Sequence, residues 1–207
     1  HTLDFQNAIS TGSSGILART VMVLNGAADV DAKLSGTLSG IASTFVKAGD
    51  GTLLVTGTNT FNAPTAVNGG VLRISNTAAL GTGTAISFGG GTLDLNGLTL
   101  SRATMTATAG RLTNGVLTGA AGLTKTGTGT FTIDSGSNTF TGATNIQEGV
   151  VEVSVLANSG NASSLGAPTT SATISLGSGA ASPSRSRARA RRPTRSASSR
   201  SRRLRDR

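Results

Sequence analysis

Short runs of alternating apolar and polar residues recur along the chain between clusters of glycine, threonine and asparagine. In residues 130–133, 150–153 and 173–176 the apolar side chains stand two positions apart, which is the spacing of a strand with one buried face. The runs are too short for helices, and Gly-Thr-Gly, Asn-Gly and Gly-Gly turns separate them. The pattern therefore predicts an all-β protein with almost no helix.

These runs belong to a long internal repeat. Residues 46–61 return as residues 124–140 with one additional residue, and the correspondence continues beyond both segments. The period is about 80 to 90 residues, and its insertions and deletions fall at turns. A period of this length indicates units that stack on their neighbours.

An asparagine precedes a phenylalanine by two positions in both copies. Asn59 and Asn138 stand at turns, where a side-chain amide can bond to main-chain groups, and we expect this structural role for both. Phe61 and Phe140 are the candidate core anchors of the two copies. An aromatic residue that returns at the same place in each unit predicts equivalent positions in the stack.

The predicted fold is an all-β, right-handed parallel β-helix (solenoid) with a disordered C-terminal tail. A sandwich would need turn signals every 8–12 residues and a richer aromatic core than six phenylalanines supply. A solenoid needs only small aliphatic side chains stacked in rungs about 4.8 Å apart, and the general crossover rule predicts its right hand. We expect rungs of about 20 to 25 residues. The predicted β-helix region, residues 1–181, comprises a partial unit at about 1–44, a unit at 45–122 and a truncated unit at 123–181.

The net charge of +9 suggests binding to polyanions until it is divided along the chain. Residues 182–207 contain 11 arginines, seven serines and one acidic residue, whereas residues 1–181 contain seven basic and eight acidic residues. The basic character therefore belongs to the C-terminal segment alone. That segment contains almost no apolar residues, so we expect a disordered Arg/Ser-rich tail.

Three interpretations of this tail stay open. An Arg/Ser-rich segment can bind RNA or another polyanion through phosphate contacts, or it can be a solvated tail with nonspecific attraction only. In the third, the segment is translated out of frame, because residues 174–179 match residues 86–91 and the strand that should follow is absent. In each case the solenoid ends within a unit, which predicts an exposed sheet edge near residues 172–181.

The composition excludes most enzyme chemistry. The chain has no cysteine, and its one histidine is the first residue, so disulfides, thiolate metal sites and catalysis by His or Cys are not expected. No catalytic residue, cofactor or metal ligand is predicted, and the binding residues are unknown. No run of about 18 apolar residues is present, so no transmembrane segment is predicted.

Two acidic pairs have the side-chain chemistry of a glycoside hydrolase. These are Asp94 with Asp134, and Glu148 with Glu152. The four acids fall in turns or on the solvent faces of alternating strands and do not recur as a cluster. We therefore expect no enzymatic activity, and a polysaccharide-active β-helix is the alternative hypothesis.

One family resemblance rests on residues 123–133, 137–146 and 148–153. They read Leu-Thr-Lys-Thr-Gly-Thr-Gly-Thr-Phe-Thr-Ile, Ser-Asn-Thr-Phe-Thr-Gly-Ala-Thr-Asn-Ile and Glu-Gly-Val-Val-Glu-Val. These segments resemble the autotransporter-associated β-strand repeat. The resemblance extends to residues 76–81 and weakly to residues 1–44.

The resemblance implies the passenger region of a type V secreted autotransporter, a bacterial cell-surface or secreted protein associated with the outer membrane. In that family the repeat is thought to assist folding and export. The implied partners are the outer-membrane translocator barrel of the parent protein and host or matrix glycans or proteins that an adhesin would bind. We expect neither that barrel nor a signal peptide in this chain, which is interpreted as an internal fragment. The first hypothesis is a non-enzymatic structural or secretion-supporting segment, and polyanion or RNA binding through the tail is a further alternative.

Overall fold

The structure is a computed structural model that describes residues 1–10, 18–41, 43–169 and 174–177, together with the backbone of residues 187–190. Every regular element in these residues is a strand, and all strand pairs are parallel. The described part of the chain contains no helix that could cross a membrane. The predicted all-β parallel fold is confirmed. The strands are β1 (Leu3–Phe5), β2 (Ile9–Ser10), β3 (Arg19–Met22), β4 (Ala32–Leu34), β5 (Leu38–Ser39), β6 (Phe45–Ala48), β7 (Thr52–Val55), β8 (Thr65–Val67), β9 (Val71–Ile74), β10 (Ala85–Asp94), β11 (Thr99–Ser101), β12 (Thr104–Thr113), β13 (Val116–Thr118), β14 (Leu123–Lys125), β15 (Thr130–Ile133), β16 (Thr144–Ile146), β17 (Val150–Val153), β18 (Ile174–Leu176) and β19 (Arg187–Ala190).

Three parallel ladders run along the molecule. The first passes through β1, β4, β7, β9, the C-terminal parts of β10 and β12, β15, β17 and β19. The second passes through β3, β6, β8, the N-terminal parts of β10 and β12, β14, β16 and β18. The third is shorter and consists of β2 with β5 and β11 with β13. Together the ladders wind the chain into a β-solenoid.

Each rung in the middle of the solenoid takes 19 to 21 residues. In the first ladder Leu53, Leu72, Leu93, Leu112 and Ile133 are successive register partners. The sequence repeat of about 80 residues therefore comprises four rungs. The boundaries of its units, at 1–44, 45–122 and 123–181, stay a prediction.

Side chains on alternate positions of the strands fill the interior. Five of the six phenylalanines are buried there. Phe61 and Phe140 are among them, which confirms both as core residues. Two rings from different rungs approach each other in the pair Phe88 and Phe131, with centroids 4.7 Å apart. Stacked aliphatic and aromatic side chains, removed from water on every rung, supply the main stabilising term.

Within the described residues the second ladder ends at β18, and its apolar residues Ile174 and Leu176 are exposed. Of residues 172–181, for which an exposed sheet edge was predicted, the structure describes residues 174–177, and the edge stays a prediction. Within the Arg/Ser-rich tail, the backbone of β19 pairs with β17. The other residues of 182–207 lie outside the described ones, and the disorder predicted for them stays a prediction.

Candidate functional site

Two lysines occupy interior positions of the second ladder. Lys47 in β6 and Lys125 in β14 are fully buried, and both fall on the buried positions of their alternating strands. Their register partners Val67, Ala107 and Ile146 are buried apolar residues. Each lysine therefore stands where the adjoining rungs place an apolar side chain.

The two lysines are equivalent residues of the long repeat. Register partners lead from Lys47 through Val67, Phe88 and Ala107 to Lys125, which is four steps along the ladder. The sequence analysis did not predict this pair. The sequence did contain a signal for it, because both lysines stand at positions where the alternation of apolar and polar residues within the strand places a buried side chain.

Each ammonium group is enclosed by three main-chain carbonyls, an arrangement we call the lysine cage. Lys47 Nζ donates hydrogen bonds to the carbonyls of the two following residues at 2.9 and 2.8 Å and to Gly69 O at 3.0 Å. Lys125 Nζ donates to the carbonyls of its two following residues at 2.7 and 2.6 Å and to Glu148 O at 3.1 Å. A protonated ammonium has three N–H donors. Each cage is therefore fully satisfied only when its lysine is charged.

Glycines in the left-handed region shape the turn around each cage. Gly49, Gly127 and Gly149 have φ values of 76°, 68° and 77°, which side chains with a Cβ rarely adopt. A Cβ at Gly149 would lie 2.7 Å from Lys125 Nζ. The glycine thus allows the main chain of the next rung to approach the ammonium.

Burial lowers the pKa of both lysines, because the charged ammonium loses its hydration. The carboxylates of Asp50 and Asp31 act in the opposite direction on Lys47, as does that of Glu148 on Lys125. Within the described residues neither lysine forms an ion pair. The charge is held by carbonyl dipoles instead.

Two buried asparagines each connect three rungs. Asn59 Oδ1 accepts a hydrogen bond from Leu38 N at 2.7 Å, and its Nδ2 donates to a carbonyl of the following rung at 2.5 Å. Asn138 Oδ1 accepts from Leu117 N at 2.8 Å, and its Nδ2 donates to Ser164 O at 3.1 Å. The predicted bonding of these amides to main-chain groups is confirmed. A buried polar side chain with partners on both sides also specifies the register of the rungs.

The first acidic pair is engaged in ion pairs along the first ladder. Arg73 Nε lies 2.8 Å from Asp94 Oδ2, and Arg111 binds Asp134. Burial by itself would raise the pKa of Asp94, but hydrogen bonds from Arg73 and two neighbouring asparagines hold it below its usual value. The general acid of a glycosidase needs a raised pKa, so Asp94 is poorly suited to donate a proton.

In the second acidic pair, Glu148 acts through its main chain. Glu148 supplies its main-chain carbonyl to the cage of Lys125, and Glu152 lies in β17. In the part of the chain that the structure describes, no group of three His, Cys, Asp or Glu residues could hold a metal ion.

The second copy of the repeat contains an insertion that protrudes from the solenoid. Five residues separate Ile74 from Leu80 in the first copy, whereas eleven separate Val153 from the equivalent Leu165. The second copy is thus six residues longer here, and the exposed part of this connection, residues 155–162, is called the insertion loop. Its first two residues are apolar.

A pocket of about 150 Å³ lies beside the insertion loop. Ser159 Oγ and Gly160 N donate to Pro168 O at 2.7 and 2.8 Å, which ties the loop to the chain that returns to the solenoid. The pocket is smaller than the roughly 300–1,000 Å³ of small-molecule sites, and it suits a single side chain. Its lining residues are Thr144, Leu156, Ala157, Ser159, Ser163, Leu165, Pro168 and Ile174.

The segments that match a known protein family contain the lysine cages and the buried asparagines. The passenger-associated-transport-repeat family model matches residues 45–74 and 123–153, and each match contains one lysine cage and one of the two buried asparagines. The chain is 36% identical over 166 residues to the adhesin BmaC autotransporter of Brucella suis biovar 1 (strain 1330), an alignment that covers 66% of this chain and 5% of that protein. The chain thus spans a small part of the length of the curated relative it matches. No solved structure matches it significantly. The two repeat matches and the similarity to an adhesin autotransporter support an autotransporter passenger repeat region, and they imply a location at the bacterial cell surface or outside the cell, in association with the outer membrane.

Proposed function

We propose that this chain is a non-enzymatic passenger segment that supports secretion through the way it folds and that presents an adhesive surface. The observation that carries the proposal is the recurrence of the lysine cage and the buried asparagine in both matched repeats. These polar side chains bond to main-chain groups inside the solenoid, where no external molecule reaches them. A recurring internal device of this kind favours a role in folding over a role in recognition.

The lysine cage couples each rung to the next. Two of its carbonyls belong to the lysine's own turn, and the third, from Gly69 or Glu148, belongs to the following rung. A rung that folded alone would offer only two of the three carbonyl acceptors, so the cage is complete only when the following rung has formed. Folding therefore proceeds rung upon rung, and the chain remains extended until a neighbouring rung is available. Passage through the translocator barrel of the parent protein requires such an extended chain.

The secretion role is tested in the parent protein with Lys47→Met and Lys125→Met. We expect less passenger at the cell surface and more retained precursor, measured by protease accessibility in intact cells. Lys33→Met is the matched control, because Lys33 is also a strand residue but lies at the surface in an ion pair with Asp4. Equal surface display of the cage variants and the control would contradict the proposed role.

The adhesive role is proposed from the insertion loop and from the adhesin relative. The loop exposes Val155 and Leu156, and Leu156 also lines the pocket beside it. Leu156→Ser should weaken binding to immobilised matrix proteins or to a glycan array. Leu24→Ser is the matched control, since Leu24 is an exposed leucine elsewhere on the solenoid. Unchanged binding by the Leu156 variant would refute the assignment of the loop.

Polyanion binding through residues 182–207 is a separate candidate, favoured by the 11 arginines of that segment. Such binding depends steeply on salt, because phosphate contacts release counterions. Deletion of residues 182–207 should abolish binding to a single-stranded RNA probe in a salt titration. Binding that persists without the segment would exclude it as the site.

A further inference from the structure

The insertion loop contains an asparagine in a sequence that can accept a sugar. Asparagine stands at twelve positions of the chain, and only Asn161 is followed two residues later by a hydroxyl residue, Ser163, with Ala162 between them. The pattern Asn-x-Ser/Thr is the acceptor sequence of N-linked glycosylation, which modifies surface loops of secreted proteins. The equivalent connection of the first copy is six residues shorter and lacks this sequence.

The structure places Asn161 in an exposed turn. Asn161 N donates to Asn158 O at 3.0 Å, and Gly160 within this turn has a φ of 82°. A Cβ at Gly160 would meet nothing within 4 Å, so the turn faces open space. Asn161 Nδ2 lies 3.4 Å from the same carbonyl of Asn158, which is near the long limit of a hydrogen bond. A sugar on this nitrogen would extend away from the solenoid without breaking an interior contact.

The buried asparagines differ from Asn161 in both respects. Asn59 and Asn138 are 3% and 0% exposed, and Nδ2 of each donates to main-chain carbonyls inside the solenoid. A phenylalanine follows each of them at the position where an acceptor sequence has its hydroxyl residue. The acceptor sequence therefore stands where the fold has room for a bulky hydrophilic group and is absent where the asparagine holds rungs together.

The hydroxyl of Ser163 is enclosed in the folded chain. Ser163 is 4% exposed, and its Oγ donates to Gly166 O at 2.8 Å and accepts from Leu165 N at 3.1 Å. A transferase that reads this hydroxyl together with Asn161 must reach the segment before the rung closes. The extended chain that the proposed secretion role requires offers the segment in that form, so the order of events rests on that proposed function.

We propose that Asn161 is an N-glycosylation site, modified before its rung folds. The co-substrate is a sugar activated by a diphosphate leaving group. Asn161 Nδ2 forms a bond to the anomeric carbon of the sugar, the bond from that carbon to the diphosphate oxygen breaks, and the electron pair leaves with the diphosphate. The amide nitrogen loses one proton. The product carries a hydrophilic glycan in the same loop as the exposed residues Val155 and Leu156.

Mass spectrometry of the parent protein from the bacterium that produces it tests the site. Peptide fragmentation that leaves the sugar attached should locate a glycan on Asn161. A single sugar would indicate a nucleotide-linked donor, and a preassembled oligosaccharide a lipid-linked donor. Precursor that has not yet reached the surface should carry the same glycan. An unmodified Asn161 in the surface-exposed passenger would overturn the site, and a glycan absent from the precursor would overturn the order of events.

Four variants in the parent protein separate the acceptor sequence from its surroundings. Asn161→Gln and Ser163→Ala should lose the glycan, whereas Ser163→Thr keeps a hydroxyl and should retain it. Asn158→Gln is the matched control, because Asn158 is an exposed asparagine of the same loop outside the acceptor sequence. A glycan that persists in Ser163→Ala, or that is lost in Ser163→Thr, would contradict the proposal.

The glycan and secretion are measured separately. Total cell protein is analysed for every variant, so a variant that fails to fold still reports whether its chain was modified. Surface display of Asn161→Gln, measured by protease accessibility in intact cells, should equal that of the wild type, because Asn161 lies outside the solenoid interior. A failed display test of the lysine cages would leave the glycan mass on Asn161 unchanged.

Discussion

Replacement of Lys125 by methionine should destabilise the second repeat even though it removes a buried charge. Methionine is unbranched and flexible, so it fills the interior position between Ala107 and Ile146 without a new cavity. It has no donor for the three carbonyls of the lysine cage. The substitution therefore removes the hydrogen bonds of the ammonium while the interior position stays filled.

Two opposing effects decide the size of the change. A buried acceptor left without a donor costs about 1–3 kcal/mol, so the three carbonyls together lose about 3 kcal/mol even at the lower limit. In the other direction, methionine removes the desolvation of the ammonium, the same effect that lowers the pKa of Lys125. The three bonds have good lengths of 2.6 to 3.1 Å, so we expect their loss to dominate. The expected decrease in the free energy of unfolding is about 2 kcal/mol.

Urea unfolding monitored by circular dichroism measures this change. Because rungs of a solenoid can open separately, hydrogen exchange of the amides in residues 123–149 should accompany it and show faster local opening. Lys33→Met is the control and should change stability by about 0–1 kcal/mol, as expected for a surface ion pair. A Lys125→Met protein as stable as the wild type, or more stable, would refute the reasoning that the satisfied carbonyls outweigh the desolvated charge.

Four further substitutions or conditions test other parts of the structure. Asn138→Ala leaves Leu117 N and Ser164 O, on the two rungs that flank Asn138, without their partner. Thermal unfolding should report a decrease of about 2–4 kcal/mol in the free energy of unfolding. Gly149→Ala places a Cβ against Lys125 Nζ at a φ of 77°, and it should cost about 2 kcal/mol or more in the same assay. The pKa of Asp94 is lowered in the folded state. Its contribution to the free energy of unfolding is therefore present above the unfolded pKa and is lost as pH falls through the folded pKa. The difference in stability between wild type and Asp94→Asn should close below about pH 4. The pKa values of Lys47 and Lys125 are lower in the folded chain than in the unfolded chain. At a pH between these values the unfolded chain binds more protons, so the free energy of unfolding of the wild type should rise as the pH approaches about 10. The double variant with methionine at both positions should lack that rise, and equal pH profiles would contradict the assigned burial.

The alternation of apolar residues was enough to predict the strands and the stacked architecture. Residues 130–133 and 150–153 form strands as their alternation predicts. Apolar side chains that recur every two residues lie on one face of a strand, and that face packs against the interior. The repeat was enough to place Phe61 and Phe140 in the core, since equivalent residues of stacked units occupy equivalent sites. It also placed Asn59 and Asn138 in structural roles, because a short amide at a turn bonds readily to nearby main-chain groups.

Only the tertiary structure placed the lysines. The same alternation puts Lys47 and Lys125 inside, but a charge belongs outside unless something compensates its lost hydration. The compensating groups are carbonyls, which every residue carries and no sequence pattern marks. Gly69 and Glu148 come from the following rung, more than 20 residues away along the chain. The sequence by itself therefore determined the strands, the repeat and the stack, whereas the lysine cage depended on the approach of one rung to the next, which exists only in the folded solenoid.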